Sequence, residues 1–309
     1  MMWNKPWNMK EGFLIGGCLI LAGLLLQLIV GPVAWEVFAW PTNGITMAVF
    51  LTIIVSVFLL RKQVYAFRFF STIQAAIPTL VYAVVLTIIM GLTRQKSLTP
   101  GPSPMGEGSL WINYMLSFWP FVLIYVLMAF ILGLVVLRQL RSWVAARFSP
   151  SALPFSLLSH LGLFLAMTTA TLGNGDMQRL KMITVVGEPE WRALDAQQQI
   201  VRMPLAIELK QFIMETYDDG SPKRFASEIQ ILMKSGKNIQ TTVDVNKPVE
   251  VDGWKIYQYG YDQQAGARSR ISIFELVRDP WLPAVYTGIF MMLAGALLMF
   301  VFGVRRAES

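Results

Sequence analysis

The chain has one histidine among its 309 residues, His160, and it stands inside the apolar run Phe155–Leu172. An imidazole is costly in hydrocarbon and is retained where it faces a neighbouring helix, a cavity or a ligand. Three roles follow from the residue type. The ring can be hydrogen-bonded to a polar group such as Gln74 or Ser159, can serve as an axial ligand for haem iron carried between helices, or can relay protons. A relay needs further ionisable groups, and the apolar runs of this chain contain no Asp or Glu. Gly162, Ala166, Thr168 and Thr169 follow His160 and are small enough for a partner helix or a flat macrocycle to approach. One imidazole fills one axial position, so a six-coordinate iron would take its second ligand from a partner subunit.

Other reactive side chains are sparse. Cys18 is the single cysteine, lies within the first apolar run and reads as a small buried side chain. Without a second cysteine there is no internal disulfide and no C-x-x-C redox pair. No nucleophile–base constellation is visible, so any bond-forming chemistry belongs to a larger complex.

The elements that position His160 are set by the bilayer. The chain is 55% hydrophobic and 15% charged, against about 25% charged in soluble domains. About 20 apolar residues cross a membrane as a helix, and six runs qualify: Phe13–Val30, Thr42–Leu60, Ile73–Leu92, Met115–Leu137, Phe155–Leu172 and Trp281–Val304. The termini and the loops after spans two and four hold ten Lys and Arg, and the loops after spans one and three hold two. That bias places both termini in the cytoplasm and the segment after span five outside. His160 then sits in the inner half of the membrane. The net charge of +7 follows from this bias, which implies contact with membrane lipid headgroups and excludes nucleic acid as a partner. The loop Thr93–Ser109, rich in Pro and Gly, should be irregular.

Between Gly173 and Asp279 the period changes to two. Leu205, Ile207 and Leu209 form one side of a strand, and Ile229, Ile231 and Met233 one side of another. Trp254 and Ile256 oppose Tyr257, Tyr259 and Tyr261. Turn residues such as Asp252-Gly253 separate these runs. The segment reads as a β-sandwich or barrel-like domain tethered at both ends. The expected architecture is a polytopic α-helical membrane protein, with membrane residues 1–172, a β-rich extracytoplasmic domain over 173–279, and span six with its tail over 280–309. Asp176, Arg179 and Lys181, where span five ends, read as a solvated or headgroup-facing cluster.

Ser159-His160-Leu161-Gly162, Gly173-Asn174-Gly175-Asp176, Gly253-Trp254-Lys255-Ile256-Tyr257-Gln258 and Val277-Arg278-Asp279-Pro280-Trp281-Leu282-Pro283 occur in an order that resembles the ResB-like (CcsB) component of the system II cytochrome c synthase. The resemblance spans about residues 65–304 and is strongest where these motifs combine. It implies a bacterial inner-membrane subunit that, with a CcsA-like haem-handling partner, conducts haem outward for attachment to apocytochrome c. It also implies that His160 is an axial ligand of haem b, paired with a histidine of the partner. Trp254, Tyr257, Tyr259, Arg278 and Asp279 are candidate contacts to that partner or to apocytochrome c. The competing reading is a membrane-anchored adaptor or sensor, with a β-domain that binds an envelope protein and no haem.

Overall fold

The computed structural model describes residues 6–95, 111–147, 155–219 and 222–307. Most of the Pro- and Gly-rich loop, residues 96–110, lies outside the described residues. The chain divides into two compact units, a helical one reaching to Asp176 and resuming at Trp281, and a sheet from Met177 to Pro280.

The helical unit contains α1 (Met9–Val30), α2 (Thr42–Leu60), α3 (Tyr65–Phe69), α4 (Ile73–Leu92), α5 (Trp119–Ala145), α6 (Phe155–Gly173) and α7 (Leu282–Ala307). All but α3 are long and apolar enough to span a membrane, which makes this a multi-pass membrane protein. Helix α1 starts four residues before its apolar run because Asn8 and Glu11 form a capping box that satisfies the first backbone N–H groups. Its buried line is Gly12, Gly16, Gly23 and Gln27. Cys18 falls off that line and is exposed, contrary to the buried position expected of it.

Helix α5 departs from the expected Met115–Leu137. A 3-10 segment, Trp111–Ser117, precedes it, and Pro120 near its start fixes the first turn. At the other end the helix runs on through Arg138, Gln139 and Arg141, which are good helix formers wherever hydrocarbon does not forbid charge. The aromatic stretch before α4 packs against the residues that precede α1. Phe69 is buried, and Trp7 meets Tyr65 and Phe69 edge-on.

Helices α6 and α7 pack through small residues. A Cβ at Gly162 would lie 2.5 Å from Gly288 O and from Met292 N, and one at Gly288 would lie 2.6 Å from Ala166 N. Ser159 Oγ donates to Met292 O at 3.1 Å. The small residues beside His160 therefore serve helix–helix contact, the first of the two uses open to them.

The second unit is one antiparallel eight-stranded sheet, ordered β5-β4-β3-β2-β1-β8-β7-β6. The strands are β1 (Gln178–Val185), β2 (Pro189–Leu194), β3 (Ile200–Thr216), β4 (Pro222–Met233), β5 (Asn238–Asp244), β6 (Val249–Val251), β7 (Trp254–Tyr261) and β8 (Ile271–Arg278). It is neither two separate sheets nor a closed barrel. Ser227 on β4 bonds to Gln258 on β7 and Ser272 on β8, each at 2.7 Å, although these strands are not neighbours. The sheet must curl for them to meet, and it wraps a core that includes Met182, Ile207, Leu209, Ile229, Ile231, Ile256, Phe274 and Leu276. The alternation read for β3 and β4 holds. Asp252 and Gly253, both at positive φ, turn β6 into β7 as a two-residue hairpin. A bulge between Gln258 and Gly260 shifts the register of β7, so Tyr261 pairs with buried Ser272. Tyr261 thus leaves the side shared by Tyr257 and Tyr259 and stacks between Phe212 and Phe225.

Candidate functional site

His160 lies in the second turn of α6 and is half-buried. Its Nδ1 is 3.3 Å from Oε1 and 3.2 Å from Nε2 of Gln139 on α5. Gln139 Nε2 also donates to Ser156 Oγ at 2.8 Å. Ser156 is one turn before His160 on the same helix face, as i, i+4 spacing requires. With its Nε2 bonded to Ser156, the amide can accept from an Nδ1–H through Oε1, and in that tautomer the lone pair of the ring is on Nε2, for which the described residues supply no hydrogen-bond partner. An imidazole held through one nitrogen and open at the other is the arrangement of histidine ligands, in which the second hydrogen bond fixes the tautomer and raises ligand basicity.

The ring partner is therefore neither Gln74 nor Ser159. Gln139 lies two residues beyond the apolar run that ends at Leu137, and a polar residue there, facing another polar residue in space, leaves no local signature. Among the described residues there is no group of three or more His, Cys, Asp or Glu side chains able to hold a bare metal ion. A porphyrin brings four nitrogens of its own and would need only an axial one.

A second polar cluster sits at the other end of α6. Asp176 accepts from Trp40 N at 2.7 Å, Asn43 Nδ2 at 2.7 Å and Trp281 Nε1 at 2.6 Å. Asn43, fully buried, also donates to Leu172 O. Asp176 is thus a shared acceptor joining the starts of α2 and α7 to the end of α6, not a solvated member of a cluster with Arg179 and Lys181. Its partners come from 105 to 136 positions away in sequence, which is why spacing could not reveal them.

The candidate contacts of the sheet unit are dispersed. Trp254 is 3% exposed and belongs to the core. Tyr257 is half-buried, and Tyr259 is exposed with Lys181 Nζ 3.9 Å above its ring. Arg278 is exposed at the end of β8, with its guanidinium 6.0 Å from the Trp254 ring. Asp279 follows it before α7. Tyr257 and Tyr259 share the outer side of the sheet, and Trp254 is on the inner one.

Residues 154–273 match the ResB-like family. A cytochrome c biogenesis protein CcsB from Prochlorococcus marinus subsp. pastoris (strain CCMP1986 / NIES-2087 / MED4) is 30% identical over 103 residues, covering 33% of this chain and 23% of that protein. The CcsB of Prochlorococcus marinus strain NATL1A is 27% identical over 118 residues, covering 38% of this chain and 25% of its own length. The matches thus span about a quarter of these relatives. A solved structure of the cytochrome c heme lyase CcmF aligns with 96% of this chain and 46% of its own, at a TM-score of 0.37 and 13% identity. The stretch from the helix that carries His160 to Ile273 in the last strand of the sheet is ResB-like, as its motifs led one to expect.

Proposed function

We propose that this chain is a cytochrome c biogenesis subunit of the CcsB type, which takes up haem b in the membrane and passes it, with a CcsA-like partner, toward apocytochrome c. The observation that carries the reading is His160, held at Nδ1 by Gln139 and open at Nε2. The ResB-like match over residues 154–273 and the CcsB relatives support it. Haem is the cargo, and when bound it supplies the iron to which Nε2 binds. The chain has no other histidine, so a second imidazole would come from the partner. The ratio of basic residues supports an orientation with the His160 end of α6 toward the cytoplasm and the sheet outside. Tyr257, Tyr259, Arg278 and Asp279 are then available to the partner or to apocytochrome c, with Trp254 bracing the strand beneath them.

Co-purification with a CcsA-like subunit tests this. The complex should show the Soret band of bis-histidine haem, and His160→Ala should abolish that band together with cytochrome c assembly in cells. Wild-type haem content and assembly in His160→Ala would overturn the proposal and leave the chain as an anchored β-module that binds an envelope protein.

A further inference from the structure

The two edge strands of the curled sheet are built differently. Strand β6 has three residues, follows Pro248 and carries Glu250 at its centre. Shortness, proline and charge are the devices that keep an edge from pairing with another chain. Strand β5 has seven residues, with no proline and no charged side chain before Asp244 at its end. The bonds at its two ends fix which way its backbone groups point. Val245 N donates to Phe225 O at 3.1 Å, and Met233 N donates to Lys237 O at 3.0 Å. Bonded positions alternate along an antiparallel pair, so Ile239, Thr241 and Val243 turn their N–H and C=O groups to β4. Those of Asn238, Gln240 and Thr242 point the other way, where the sheet order places no further strand. Asn238 and Gln240 are also exposed. Ser227 on β4 bonds to Gln258 on β7, so β5 and β6 face each other across a seam that no backbone ladder closes. With three residues against seven, β6 is too short to run along most of β5.

We infer that the β5 edge takes up an extended segment of apocytochrome c as an additional strand. Three features select an unfolded chain as the occupant. The groups on offer are main-chain donors and acceptors at every second residue, which another extended backbone matches in number and spacing. A second folded copy would bring its own β6 beside its β5 and obstruct edge-to-edge pairing, whereas an unfolded segment brings no such neighbour. Ile239 and Val249, on the two sides of the seam, are only partly buried, and an incoming strand with apolar side chains at alternate positions covers them. The identity of the chain rests on the function proposed above, because covalent attachment of haem requires a segment of apocytochrome c that is accessible and free to extend.

The test uses the full-length protein co-purified with its CcsA-like partner, with apocytochrome c as the added chain. Hydrogen exchange read residue by residue should slow several-fold at the Asn238, Gln240 and Thr242 amides. Those of Ile239, Thr241 and Val243, already bonded to β4, should change little. Gln240→Pro removes one edge-facing N–H and leaves the β4 ladder whole, as proline does on an edge strand. It should keep the Soret band and helical circular dichroism of the wild type and lower cytochrome c assembly several-fold, whereas Gln240→Thr, which retains the N–H, should assemble normally. A haem-bearing complex in which apocytochrome c leaves these amides unchanged, or in which Gln240→Pro assembles as the wild type does, overturns the inference and leaves the haem reading intact. A complex without haem in which apocytochrome c slows the same amides supports the edge and overturns the haem reading instead. Slowing that needs no apocytochrome c and rises with protein concentration assigns the edge to a second copy and also overturns the inference.

Discussion

Only one nitrogen of the His160 ring has a hydrogen-bond partner among the described residues, and the proposed ligand role rests on that difference. Gln139 holds Nδ1, so Gln139→Leu should reduce the haem retained by the co-purified complex by about 10-fold while leaving the helices intact by circular dichroism. Gln139→Glu, which keeps the acceptor, should restore most of it. If both variants hold haem as the wild type does, Gln139 has no part in ligation. Asp176 poses a different problem, since three donors converge on one carboxylate. Asp176→Ala strands them and should cost about 2–3 kcal/mol, read as a lowered temperature of thermal inactivation in detergent. The histidine itself was plain in the sequence, because a lone polar group stands out in an apolar run. Gln139, Asn43 and Trp281 were not, because their importance lies in what they face across the bundle.

At the scale of elements, helices were more legible than the details of strands. An apolar run long enough to cross a bilayer dictates a helix whatever its neighbours, as in α2, found over the expected Thr42–Leu60. Ends that leave the hydrocarbon follow caps and propensity instead, which moved α1 and α5. In the sheet, alternation located β3 and β4, but a single extra residue at Tyr259 reversed the side of Tyr261. Close packing of α6 on α7 predicts that Gly162→Leu, by driving a side chain into Gly288 and Met292, destabilises the pair by about 1–3 kcal/mol. Proteolysis of the purified protein should then cut α7 sooner. The bulge in β2 makes a pH prediction. The Glu190 carboxylate accepts from the side chain of Arg192 and from the backbone N–H groups of Trp191 and Arg192, and its pKa falls to about 2. A carboxyl group depressed on folding adds stability that is complete above its unfolded value, near 4.5, and is lost as pH falls toward 2. Arg192 is largely exposed, so screening limits the gain to about 1 kcal/mol or less. The protection of β2 amides from hydrogen exchange, taken relative to the intrinsic rate at each pH, should fall below pH 4.5 in the full-length protein, and Glu190→Gln should flatten that dependence.

For the whole molecule, the distribution of basic residues predicts sidedness. In a Cys18→Ser background, Lys237→Cys in the β4–β5 turn should react with an impermeant maleimide added to intact cells, and Arg61→Cys after α2 only once the membrane is opened. The reverse pattern would invert the orientation. One further consequence follows from the way the sheet begins and ends. Gln178, opening β1, pairs with Arg278, closing β8, and just outside them Asp176 is hydrogen-bonded to Trp281. Entry and exit are side by side on both units, so the 104-residue stretch Met177–Pro280 is spliced into a helical hairpin as a cassette. Such a joint lets the sheet module be enlarged, exchanged or removed in favour of a short turn without re-threading the bundle, a modularity that related lineages could exploit independently of whatever the helices carry.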